Sequence, residues 1–196
     1  MSLTRKFFGK WLSLVLICVV AGCAAPLKQA IYLDSGFQPQ VINQIILLPA
    51  IDARIDRKIE VNIQKQIREA GMEILNNNGY QVSLSDNIGG VTQIIEDDLK
   101  SGDPKWIKQL GPSEARYVMV LMLVDVATKL TFGSTGNAEV AGFLYNKEAG
   151  TIVWRDKGIG QVGQAGLMFM LMKGAMAGSA IDVAMNSLLS SIPKRP

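Results

Sequence analysis

Three groups of side chains in this sequence have the types and spacing for chemistry. Gly158-Ile159-Gly160-Gln161-Val162-Gly163 is a literal G-x-G-x-x-G, and Asp182 lies roughly 20 residues beyond it, as in a dinucleotide-binding fingerprint. That fingerprint works inside a βαβ unit, with the acidic residue near the end of the next strand. Here Asp182 falls within a helical pattern and no strand pattern follows it before Pro196. The expectation is therefore that these glycines allow a tight strand-to-helix crossing and close packing. Asp52/Asp56 and Glu96/Asp97/Asp98 form two acidic clusters that could supply a carboxylate pair or hold a hard cation. Neither has the spacing or the glycine of a calcium loop, and solvated faces account for both. The third group is Cys23, which directly follows the small residues Val20-Ala21-Gly22.

Composition removes most familiar enzymes. The chain has no histidine, which excludes a Ser-His-Asp triad, a Cys-His pair and the usual zinc sites. Carboxylate-only hydrolysis and carboxylate-bound Ca²⁺ or Mg²⁺ remain open. No catalytic, cofactor-binding or metal-binding residue is assigned.

Upstream of Cys23 lie a basic start (Arg5, Lys6, Lys10) and the apolar run Trp11 to Val20. These are the n-region, h-region and small-residue cleavage site of a bacterial secretory signal, and the run is too short to span a bilayer. With a cysteine at its end, Val20-Ala21-Gly22-Cys23 resembles the lipobox of bacterial lipoproteins. That resemblance implies cleavage before Cys23, acylation of its thiol and new amino terminus, and attachment through several acyl chains, where one alone holds only marginally. Ala24, in place of the Asp that marks inner-membrane retention, implies the outer membrane, facing the periplasm. Removal of residues 1–22 from the 196 leaves 174, enough for one domain with a core. It also removes three cations and no acid, taking the formal charge from +3 to 0. A nucleic-acid partner argued from a basic pI therefore has no basis. Cys18 leaves with the signal and Cys23 is lipidated, so no disulfide is expected.

Residues 23–40 read as a lipidated tether and 41–196 as a single periplasmic domain. Gln44 to Leu48, ended by Pro49, predicts a first strand. Ile59, Ile63, Ile67, Ala70 and Ile74 share one helical face, Lys65 and Glu69 are placed to pair, and Asn76-Asn77-Asn78-Gly79 stops the helix. Tyr80 to Leu84 predicts a second strand. Ser85-Asp86-Asn87 offers caps for a helix over about 90–100, and a short helix follows Pro104. Tyr117 to Val124 is apolar without a break, which marks a strand buried on both faces. Asn137 to Tyr145 and Thr151 to Trp154 form a hairpin around Asn146 to Gly150, and a long helix covers about 166–191. Trp106, Trp154 and Tyr145 either line a groove or fill the core. The order β-α-β-α-β-β-β-α predicts an α/β fold, a mixed sheet of about five strands with helices packed on it.

This order, a first strand ending in Leu-Pro and a meander closing on Gly-Thr-Ile-Val-Trp are similar to small envelope lipoproteins that include the periplasmic part of the curli secretion channel and the amino-terminal domain of TolB. In the last helix, Leu167, Leu171, Gly174, Gly178, Ile181, Met185, Leu188 and Ile192 form a stripe for the protein's own sheet. Met168, Met172 and Met176, beside it, are the candidate partner contact, because Met-rich surfaces adapt to partners. Lys173 and Asp182 argue against a membrane span there. The expected function is a non-enzymatic outer-membrane lipoprotein, an accessory or assembly subunit of an envelope complex. A homo-oligomeric secretion or channel component, which would need membrane-inserting segments and has no convincing amphipathic hairpin beyond Thr128 to Tyr145, and a carboxylate-dependent envelope hydrolase are the alternatives.

Overall fold

In the computed structural model, which describes residues 28–129, 133–165 and 173–196, the chain is a mixed α/β fold. The sheet has seven strands: β1 (Tyr32–Leu33), β2 (Gln44–Leu47), β3 (Ile51–Asp52), β4 (Gln81–Leu84), β5 (Tyr117–Lys129), β6 (Gly133–Asn146) and β7 (Thr151–Ala165). They lie in the order β1-β7-β6-β5-β2-β4, with β3 also on β5. The β2, β3, β4 and β5 pairings are parallel, and β5, β6, β7 and β1 are antiparallel. The two strands beyond the expected five, β1 and β3, have two residues each, too few to leave a period-2 signal. Residues 23–40 read as tether, yet β1 docks part of that stretch onto β7.

The unbroken apolar run in β5 divides between two cores. Tyr117, Met119, Leu121 and Leu123 pack on one face, under the helices α1 (Ala70–Asn77) and α4 (Lys173–Leu189). Val118, Val120 and Met122 pack on the other, against α2 (Glu96–Ser101) and α3 (Pro104–Gln109). Alternation within a strand sends neighbouring side chains to opposite faces, so a strand covered on both sides has no polar positions. The aromatics are core. Trp154 is buried and its indole N–H donates to Ser191 Oγ at 3.2 Å, while Tyr145 donates to the Leu99 carbonyl at 2.9 Å with Trp106 edge-on at 5.9 Å.

The first long helix departs from its expected face. Its opening turn, Gln64–Glu69, is π-wound, its hydrogen bonds closing one residue further along than in an α-helix. That extra residue advances the phase, so Ile67, Gly71 and Leu75 are buried, while Ile74 is only partly so. Lys65 and Glu69 lie within that turn, and no ion pair joins them among the described residues. Gly79 ends the helix at φ +90°, which a residue without Cβ adopts at little cost. The helix expected over about 90–100 is confined to α2. Ile95 precedes it with no capping side chain, because Ser85 and Asn87 accept from the backbone N–H groups of Asn87 and Gly89 instead, forming a turn.

The strands β5, β6 and β7 run far past their expected ends, so the G-x-G-x-x-G lies inside β7 rather than between a strand and a helix. A Cβ built on Gly158 would sit 1.9 Å from the Ala184 carbonyl oxygen, and one on Gly160 1.9 Å from that of Ala180. One on Gly163 would meet nothing closer than 3.9 Å. The first two glycines let the α4 backbone lie on the strand, and the third is open. Gly160→Ala should therefore destabilise by about 3 kcal/mol or more in urea unfolding, since the obstacle is backbone rather than a movable side chain. Gly163→Ala should change stability by less than about 0.5 kcal/mol.

Candidate interaction surface

Cys23, Met168 and Met172 lie outside the described residues. Met176 is 4% exposed, on the same side of α4 as Ser187, and Gly136 of β6 passes beneath its backbone. Ser187 itself is reached by Lys28 from beside β7, which places this side of the helix over the outer edge of the sheet. From Ile181 onward the expected stripe holds: Ile181, Met185, Leu188 and Ile192 are buried. Earlier in the helix it does not, because Gly174 is exposed while Ala177 and Ala180 carry the contact.

The acidic clusters are engaged locally. Both oxygens of Asp52 accept from Arg54, from Nε and Nη2 at 2.8 Å each, and Arg54 Nη1 donates to the Ile59 carbonyl at 2.8 Å. The Arg54 guanidinium is buried and the Asp52 carboxylate partly so, and their fork ties the loop after β3 together. The hydrogen bond from Arg54 holds the Asp52 carboxyl below its ordinary value of 3.8. An acid held in that way is an acceptor at neutral pH and is not a proton donor for hydrolysis. Asp56 pairs with Lys58, and Glu96 with Lys100 one turn along α2. Among the described residues no three carboxylates gather to hold a metal ion.

Buried charge elsewhere is also satisfied within the chain. Arg68 donates to the carbonyls of Leu47 and Ser85 and pairs with Asp86 at 2.7 Å, which closes the ends of the parallel strands β2 and β4. Lys147, buried in the β6–β7 turn, donates to the carbonyls of Gly111 and Pro112, and burial holds its ammonium below its ordinary value. Lys28, the first described residue, meets Asp156 at 2.7 Å and donates to the carbonyls of Lys157 and Ser187. The Asp156 side chain is 1% exposed and that of Lys28 34%, so a half-buried pair ties Lys28 to β7. Beside it a cleft of about 170 Å³ has an apolar floor of Met122, Val124, Ala141 and Phe143. The rim ammoniums Lys100 and Lys157 pair with Glu96 and Glu139.

Sequence reasoning missed both the Lys28–Asp156 and the Arg54–Asp52 pairs. Only the second, an i,i+2 pair in a polar turn, had a local signal. Asp52→Asn should cost about 3 kcal/mol at pH 7, because it leaves the buried guanidinium without its anion. The sign with pH follows from the lowered carboxyl. The unfolded chain binds that proton more tightly, so the stabilisation is complete above about pH 4 and drains away as the pH falls further. Urea unfolding of the chain and of Asp52→Asn across pH 3 to 7 should show the gap closing at the acid end.

No family model matches the chain, and none of the curated proteins does. Solved structures do. PelC of Paraburkholderia phytofirmans, a dodecamer, is similar at 11% identity over 81% of this chain and 92% of that one, with a TM-score of 0.49. Lipoprotein GNA1162 of Neisseria meningitidis is similar at 17% identity over 68% and 94%, TM-score 0.46. A minor lipoprotein of Acinetobacter baumannii is similar at 10% identity over 81% and 99%, TM-score 0.39. Bacterial lipoproteins are thus among the solved chains this one is similar to.

Proposed function

We propose that this chain is a lipid-anchored, non-enzymatic subunit of a bacterial envelope complex, held at Cys23 in the outer membrane and facing the periplasm. The observation that carries the reading is the basic start, short apolar run and Val20-Ala21-Gly22-Cys23, which provide the anchor. What supports a binding rather than a catalytic role is the disposition of charge. There is no histidine, and the buried cations Arg54, Arg68 and Lys147 and the buried Asp156 are all engaged by groups of the same chain. Among the described helices none is long and apolar enough to cross a membrane. The candidate contact is Met168 and Met172, with Met176 underlying it.

A second reading, self-association into an assembly of this chain, is favoured by one observation, the long outer edge of β7 that no described strand covers beyond Arg155. The native mass of the protein, crosslinked mildly in its own membranes before gentle extraction, with companions identified by mass spectrometry, tests both readings. A complex with other envelope proteins supports the accessory reading, a defined multiple of the protomer supports self-association, and a lone monomer overturns both. Cys23→Ser should move the protein from the membrane fraction to the soluble periplasm. Met168→Glu with Met172→Glu should abolish the heteromeric complex while leaving the thermal unfolding midpoint within a few degrees.

A further inference from the structure

The sheet ends on two very different edges. β4, at one end, has four residues, and the Val82 N–H is taken by the Asn76 side chain of α1 at 3.2 Å. β7, at the other, has fifteen residues, of which only Trp154 and Arg155 pair with β1. Ile31, the next residue along that pairing, gives its N–H to the Asp156 carboxylate rather than to a strand carbonyl. From Gly158 to Ala165 the outer edge is unpaired among the described residues. Natural sheets guard such edges with lysine, proline, bulges or brevity. Gly158-Ile159-Gly160-Gln161-Val162-Gly163-Gln164-Ala165 has no charge and no proline, keeps an unshifted register on β6, and leaves Ile159 68% exposed.

We propose that this edge pairs antiparallel with the same edge of a second copy, about a two-fold axis normal to the sheet through Gln161. The inference deepens the self-association reading above. Its motive is self-complementarity. In that register Ile159 of each copy lies opposite Gly163 of the other, where the space a Cβ would take is open, while Val162 lies opposite Gly160, whose α4 backbone already covers that face and would meet the Val162 side chain. Gln161 lies opposite itself, and an amide side chain both donates and accepts. No like charges face one another, since Lys157 is already paired with Glu139 at 2.6 Å and falls opposite Ala165. A register centred two residues earlier, on Ile159, would carry the pairing into Arg155, where β1 already sits. Gln161 is the middle of the seven residues Gly158 to Gln164. An axis normal to the sheet keeps both α4 helices on one face, and Val183, 43% exposed on the side of α4 above the β7 edge, extends the contact. This is an isologous interface that joins two seven-stranded sheets into one. A seven-residue ladder buries less than the roughly 800 Å² per partner of stable complexes. The pair therefore forms where the chains are concentrated on a membrane surface and dissociates on dilution.

The test is oxidation, by copper phenanthroline, of the full-length protein in its native membranes carrying Gln161→Cys. Once Cys18 is cleaved and Cys23 acylated, the new thiol is the only free one. The expected product is a covalent dimer, because directly opposed residues have Cβ atoms about 5 Å apart. Lys157→Cys should stay monomeric, its two copies being about 25 Å apart along the ladder. Co-expressed Ile159→Cys and Gly163→Cys chains should crosslink to each other and not to themselves. Gln161→Lys, at an exposed position, should abolish the dimer seen with a lysine-directed or formaldehyde crosslinker while leaving the circular dichroism unchanged. A Gln161→Cys protein that stays monomeric, or crosslinks no better than Lys157→Cys, overturns the proposal. Crosslinking of Gln161→Cys to a different envelope protein overturns self-pairing and leaves the accessory reading standing, which distinguishes the two failures.

Discussion

The close approach of the α4 backbone to β7 is the contact on which the rest of the domain depends. Gly158 and Gly160 leave no room for even one carbon between the strand and the carbonyls of Ala184 and Ala180. Helix and sheet meet there through backbone and small side chains, with Ala177, Ala180 and Ala184 buried on the helix side. Larger residues take over where the spacing widens: Met185 reaches toward Gly71 of α1, and Trp154 sits over Gly142. Small residues at one end and large ones at the other set the inclination of α4 across the sheet. That inclination in turn fixes where α1 packs.

Because α4 covers one face of the β5-β6-β7 meander along its length and α2 and α3 cover only the start of the other, the far half of the meander has a wet face. Glu139, Lys157, Ile159 and Gln161 line it. This is an ordinary antiparallel arrangement, apolar on one side and solvated on the other, continuous with a parallel region buried on both. The bulge between Leu123 and Asp125 marks the change, since it restores Val126 to the α4 core after a stretch that would otherwise turn it outward.

Polar groups inside the domain hold its connections in place. Arg54 gathers the loop after β3, Arg68 closes the ends of β2 and β4, Lys147 fastens the last hairpin to the turn at Gly111 and Pro112, and Lys28 anchors the entering chain on Asp156. Each cation is held by carbonyls or a carboxylate of its own chain. Pairs of this kind add little net stability over apolar packing, but breaking one leaves a buried charge without a partner. They define how the loops sit more than how tightly the fold holds.

Periodicity and composition alone make the fold class, five of the seven strands, the two-sided burial of β5 and the hairpin at Gly150 legible, because each rests on neighbours within a few residues. The signal-like start with Cys23 is legible in the same local way. The ends of β5, β6 and β7 are not, since their outer halves are glycine-rich and polar and owe their strand conformation to pairing with one another. Regular helical spacing misplaces the face of the first helix by one π-turn residue, and β1 escapes notice because two residues carry no period. The sequence by itself determined that Asp182 falls in a helical pattern rather than at the end of a strand, which favours packing for Gly158 and Gly160. Only the tertiary structure decided what they pack against, and that the outer edge of the strand bearing them is left without a described neighbour, because the far side of a sheet is set by which strands arrive there and not by any residue within the strand itself.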